Sequence, residues 1–261
     1  MSDFQFASAY AKLDRADKHL GELRELLLAY MSQPDVVTGN LANGPTPQSF
    51  RIQRAGHEIQ AVIGDIAQNL RSALDHVVWQ LVLANGGTPK PGGGGTQFPI
   101  LAEETRHGSL AVRTVAGGVS PAALKIIEAA QPYSTAADRY GSAPAIVHHI
   151  SNTDKHREPA VVHRVITGTV SWSGTGDMTR HWSAPLKTAN PTVDHVELLL
   201  AEVPEVLGDG GAKAYFEVQL ELPKVERHPS RGPLYGTLDQ VAWEVRRLVG
   251  DLEATVVPTV V

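Results

Sequence analysis

The sequence predicts an α+β fold: an N-terminal helical bundle over residues 1–158, then a small antiparallel sheet with a closing C-terminal helix over 159–261. Apolar residues recur at alternating steps of three and four through residues 4–32 and 57–81, as on one face of a helix. From about Pro159 the period changes to two, and near Thr237 the helical period returns. With 261 residues, 42% hydrophobic and 20% charged, the chain is long and apolar enough to bury a sizeable core.

The first helix places Phe6, Ala9, Leu13, Ala16, Leu20, Leu23, Leu27 and Tyr30 on one face, with Lys12, Asp14, Arg15 and Glu22 on the wet side. The Pro-, Gly- and Asn-rich stretch 34–48 has no period and predicts a loop, and SFRIQRAG a short strand. A second long helix begins near His57, carries Ile59, Ile63, Ile66, Leu70, Ala73, Val77 and Leu81 on one face, and ends at Asn85-Gly86-Gly87. PKPGGGG, 89–95, lacks the Gly-Lys-Ser/Thr ending and the buried strand of a phosphate loop, and reads as a linker. Ser120-Pro121 is an N-cap followed by Pro at the first helical position, opening PAALKIIEAAQ, and a further helix opens after Ser142. VVHRVITGTVSWS, HVELLLAEV and KAYFEVQLEL alternate as strands of one sheet. Thr237-x-x-Gln240 reads as the capping box of the last helix, with Leu238, Val241, Val245, Leu248 and Leu252 inward.

Composition excludes several classes. With no Cys there is no disulfide, thiolate nucleophile, zinc ribbon or iron–sulfur cluster. The net charge of −5 is unevenly spread: residues 1–160 carry 14 basic and 15 acidic side chains, the remainder 9 and 13. That is not the excess positive charge of a general nucleic-acid coat, so a polyanion would need a local site, expected in the near-neutral first half. No run approaches the roughly 18 to 20 apolar residues of a membrane helix, and the start lacks a secretion signal. The expectation is a cytoplasmic protein with no membrane partner.

The segment NLRSALDH, 69–76, brings an Arg, a Ser, an Asp and a His into two helical turns. Ser72 and His76 share one face, and Arg71 and Asp75 share the next, where they can form an i,i+4 ion pair. Arg71 and His76 are five apart, about 140° around the axis. They meet only if the long Arg bends toward a common point or a second subunit supplies another copy of each. Cleavage of RNA by its own 2′-hydroxyl needs proton transfer near neutral pH, which His supplies, and a cation against the phosphorane charge, which Arg supplies.

Arg-x4-His on a helix of a helical bundle resembles the HEPN superfamily, many of whose members are metal-independent ribonucleases acting as homodimers. The resemblance implies His76 as general acid or base, Arg71 as transition-state anchor and Ser72 as an orienting group, with neither metal nor cofactor. The family usually has Asn, Asp or His directly after the Arg, where Ser72 stands here. It also implies a homodimer, with RNA or a nucleotide as partner.

A second polar cluster, HHISNTDKHR at 148–157, sits at a predicted helix end. Part of it is explained by cations favouring the negative end of the helix dipole. The functional expectation is that Asn152, Asp154, Lys155, His156 and Arg157 bind substrate, closing over the pocket of Arg71 and His76, with Lys155 and Arg157 on phosphate. NLRSALDH together with NTDKHR also resembles a pairing in uncharacterised bacterial and prophage-type proteins, which implies one shared site and no particular activity. Two alternatives stay open. One is a non-enzymatic ligand-binding or interaction module whose polar clusters are structural, with Arg71 and Asp75 as an ordinary pair. The other is a metal-dependent hydrolase using His76, His149 and His156, although His149 and His156 lie seven apart, roughly 10 Å along a helix axis.

Overall fold

The computed structural model describes residues 6–32, 55–91, 96–101, 118–134, 141–155, 222 and 233–256 with their side chains, and 37–38, 48–52, 162–172, 195–198 and 212–221 as backbone. The chain divides into two compact units. One holds residues 1–24, 57–159 and 224–261; the other holds 25–56 and 160–223. The closing helix therefore belongs with the bundle, not with the segment that precedes it.

The first unit is helical: α1 (Ala7–Met31), α2 (His57–Ala84), α3 (Pro121–Ala129), a 3-10 turn (Pro132–Ser134), α4 (Ala143–Asp154) and α5 (Leu234–Glu253). α1 runs on past this unit at its C-terminal end. Its core-facing positions are those the three-four spacing predicts: Ala9, Leu13, Ala16, Leu20 and Leu23 are buried. α2 is the central element, buried on more than one stripe, with Val62, Val78 and Val82 joining Ile63, Ile66, Leu70 and Leu74. It packs against α4 and α5, and α5 also meets α3 and α4. Each fully buried Leu or Ile contributes about 1.5–3 kcal/mol.

The caps explain where these helices stop. Gly86 has φ 78°, and Gly86 N–H and Gly87 N–H donate to the carbonyls of Leu83 and Val82, which satisfies the last turn of α2. Ser120 Oγ accepts from Ala123 N–H at 3.2 Å and Pro121 opens α3. α5 departs from expectation. It starts one turn before the capping box, at Leu234 behind Pro233, whose fixed φ suits a helix start, and Thr237 lies buried inside the helix. α1 and α5 run antiparallel, with Tyr10 Oη donating to Glu253 Oε2 at 2.6 Å and Arg246 Nη2 bridging Asp14 and Asp17 at 2.9 and 2.7 Å.

The α+β expectation is corrected here. Every regular element whose side chains are described is helical, and this body is all-α. Among the described residues of the first unit there is no strand. The strand pairings that occur belong to the backbone of the second unit and do not form the single sheet expected: β3 (Val162–Trp172) pairs antiparallel with β5 (Ala212–Glu221), while β4 (His195–Leu198) pairs with β2 (Gln48–Ile52), which also pairs with β1 (Val37–Thr38). Alternation identifies extended chain but not its partner, because a period of two is satisfied by any neighbour that covers one face.

Candidate functional site

The middle turns of α2 meet two different surroundings. On one, Arg71 and Asp75 bond each other, with Nη2 3.0 Å from Asp75 Oδ1. The same two atoms hold the backbone of Phe98: Nη2 donates to its carbonyl at 2.8 Å, and its N–H donates to Asp75 Oδ1 at 2.9 Å. The i,i+4 pair thus binds both polar groups of Phe98, as an adjacent strand would. Gln131, fully buried after α3, continues the pattern. Its Nε2 donates to the carbonyls of Pro99 and Ile127 at 2.8 and 3.0 Å, and its Oε1 accepts from Leu101 N–H at 3.1 Å. The strap Thr96–Leu101 is therefore held by side chains from two helical regions, with the Phe98 ring sealed beneath it.

This bonding occupies the residue expected to anchor a transition state. The Arg71 side chain is 13% exposed, and its Nη1 is buried with no hydrogen-bond partner among the described residues. Burial pushes the Asp75 carboxyl above its usual range; the charge of Arg71, the Phe98 N–H and the nearby His76 act the other way without cancelling it.

On the other side, His76 and Asp75 open onto a pocket of about 330 Å³ lined also by Ser8, Trp79, Gln80 and Thr96. His76 is half-buried and its Nδ1 has no hydrogen-bond partner among the described residues. Trp79 and Gln80 stand three and four residues on, so the spacing that groups Ser72 with His76 could also have placed them there. Ser8 and Thr96 carry no such signal, since they arrive from α1 and the strap. Ser72 is half-buried and does not line the pocket.

The second cluster lies further along α2. α4 runs antiparallel to it: Gln68 Nε2 donates to the Ser151 carbonyl at 3.0 Å, and the Asp154 carboxylate sits so close over Gly64 that a Cβ there would overlap it. Gly64 and His76 are twelve residues apart, about 18 Å along the axis. Asp154 is thus brought to the opposite end of the helix from the pocket. Asn152 and Lys155 are exposed, and Asn152 Nδ2 lies 2.9 Å from His148 Nε2. His148 is the member of the cluster that reaches Arg71 electrostatically. Partial burial, then the charges of Arg71, Lys155 and His149, push its imidazole below the ordinary value. His156 and Arg157 lie outside the described residues, as do Gly92–Gly95 of the glycine run and the SGTGDMTR segment with its flanking His181 and Trp182.

Among the described residues no group of three or more His, Asp or Glu could hold a metal ion. Among them, too, no helix is long and apolar enough to cross a membrane. No family model, curated protein or solved structure matches the chain.

Proposed function

We propose that this protein is a HEPN-like nucleotide- or RNA-binding protein whose pocket beside His76 receives the base, while the Arg71–Asp75 pair holds the fold. One observation carries the reading: an open pocket combines two ring side chains, His76 and Trp79, with hydrogen-bonding Ser8, Gln80 and Thr96, and has no Lys or Arg among the described residues of its lining. Aromatic stacking on a base is worth about 1–3 kcal/mol and accepts any base. Asp75 in the wall disfavours a phosphate, so the ribose-phosphate stays outside.

Calorimetric titration tests this. Adenosine 5′-monophosphate and a short single-stranded RNA bind the wild type, ribose 5-phosphate does not, and Trp79→Ala weakens the first two about tenfold or more. Equal binding of ribose 5-phosphate, or no binding of any base, removes the proposal.

A second reading is favoured by the half-buried His76 imidazole at the pocket edge: metal-independent RNA cleavage with His76 as general acid or base. It predicts cleavage of single-stranded RNA in EDTA that His76→Ala abolishes with little change in Tm. Activity lost in EDTA selects the metal-dependent hydrolase, and binding without cleavage selects the non-enzymatic module. Sedimentation at several concentrations tests the homodimer that the resemblance implies.

A further inference from the structure

We infer that Gln131 is a positioning residue of the His76 pocket, acting through the Thr96–Leu101 strap; the inference rests on the nucleotide-binding reading of that pocket. Gln131 is not among the described residues that line the pocket. It is 0% exposed and spends all of its described hydrogen bonding on backbone: two carbonyls accept from its amide nitrogen and one N–H donates to its amide oxygen. A buried side-chain amide bonded in this way fixes whatever it holds, because releasing either strap group would leave an unpaired polar atom inside the protein.

The strap it holds carries one residue of the pocket lining, Thr96. Going back along the strap from the Pro99 carbonyl, the next polar groups are those of Phe98, bound by Arg71 and Asp75, and two residues earlier comes Thr96 in the pocket lining. Thr96 is tied from its other side as well: its N–H donates to the Lys90 carbonyl at 2.8 Å and its Oγ1 accepts from Lys90 N–H at 2.9 Å. The strap is stiff between these ties. Pro99 has a fixed φ, and a residue before Pro, here Phe98, is confined to extended backbone. Displacement of the Pro99 carbonyl is therefore carried into Phe98 and its clamp. Asp75 belongs both to that clamp and to the pocket, so loss of Gln131 reaches the pocket by two routes, through Thr96 and through Asp75.

The test replaces Gln131 with Met, which keeps side-chain length and removes all three hydrogen bonds. Amide exchange, the His76 ring resonance and binding of adenosine 5′-monophosphate are followed by NMR, with far-UV circular dichroism to verify the helices. With helicity retained, exchange at both Leu101 and Phe98 rises about tenfold or more, the His76 resonance moves, and nucleotide binding weakens about fivefold or more. Faster exchange at Leu101 alone, with Phe98, His76 and binding unchanged, overturns the inference and leaves Gln131 a local structural residue. If the wild type binds no nucleotide, the reading of the pocket fails, while Phe98 exchange and the His76 resonance still decide the positioning role. If Gln131→Met does not fold, exchange in the wild type decides: a common opening free energy for Phe98 and Leu101 supports one strap, and independent openings overturn it.

Discussion

Arg71 with Asp75 and His76 with Trp79 are neighbours on one helix, yet they serve opposite ends. The charged pair binds the Phe98 peptide groups, with Asp75 also in the pocket wall; the ring pair lines the open pocket. In sequence the Arg looks available to anchor a phosphate, because guanidinium suits it. In the fold a buried peptide claims it first. The difference teaches that a charged residue in a polar motif is available for chemistry only if no backbone group nearby needs it, and that buried backbone rarely goes unmet.

Breaking the clamp gives the largest effect. Arg71→Ala leaves the Asp75 carboxylate and the Phe98 carbonyl without their cation and lowers stability by about 3–5 kcal/mol in urea unfolding. Replacing Arg71 and Asp75 together by Met and Leu costs clearly less than the sum of the single changes, since neither charge is then stranded. A double cycle that adds up to within a few tenths of a kcal/mol would show that the pair does not act as a unit.

Gly64→Ala comes next and probes the far end of α2. The added methyl meets the Asp154 carboxylate, which must swing aside, so the substitution forfeits the better helix propensity of Ala and lowers stability by about 1 kcal/mol. Adding Asp154→Ala restores most of that loss. If Gly64→Ala alone stabilises by the roughly 1 kcal/mol that helix propensity allows, the Asp154 carboxylate does not crowd Gly64.

His148 supplies a smaller, pH-dependent effect. Its folded pKa lies below the ordinary value of 6.5, so the folded protein binds fewer protons than the unfolded chain in the window below 6.5. The contribution is present above that value and is lost as pH falls through the window toward the folded pKa. His148→Gln removes this dependence from a stability profile measured between pH 7 and 5; an unchanged profile would contradict the partial burial of His148 and its crowding by Arg71 and Lys155.

The smallest effect belongs to α1 and α5. Arg246→Ala breaks bonds to Asp14 and Asp17, but these carboxylates are 64% and 53% exposed, and the loss is about 1 kcal/mol or less and shrinks further in salt.

Much of the helical body was legible in the chain itself. The inward face of α1, the Gly86 stop of α2 and the Ser120-Pro121 start of α3 follow from side-chain spacing and from backbone angles that Gly and Pro favour, all of which act within a few residues. The Arg71–Asp75 pair was legible as well, for the same reason. Phe98 and Gln131 as its continuation were not, since their partners are 27 and 32 residues away for the bonds Arg71–Phe98 and Gln131–Pro99. The expected sheet failed on the same ground: alternation is local, but a strand's partner is chosen by the rest of the chain.

The order of side chains by itself therefore determined which segments are helices, where they end and which adjacent residues pair. Tertiary structure alone decided that the Arg of the polar motif holds a strap, that its His borders a pocket with Ser8 and Thr96, and that the Asp154 carboxylate lies at the other end of α2. Local geometry fixes which way a side chain leaves its helix. What it meets there depends on backbone arriving from distant parts of the chain, where unpaired peptide groups compete with solvent and ligands for every polar atom.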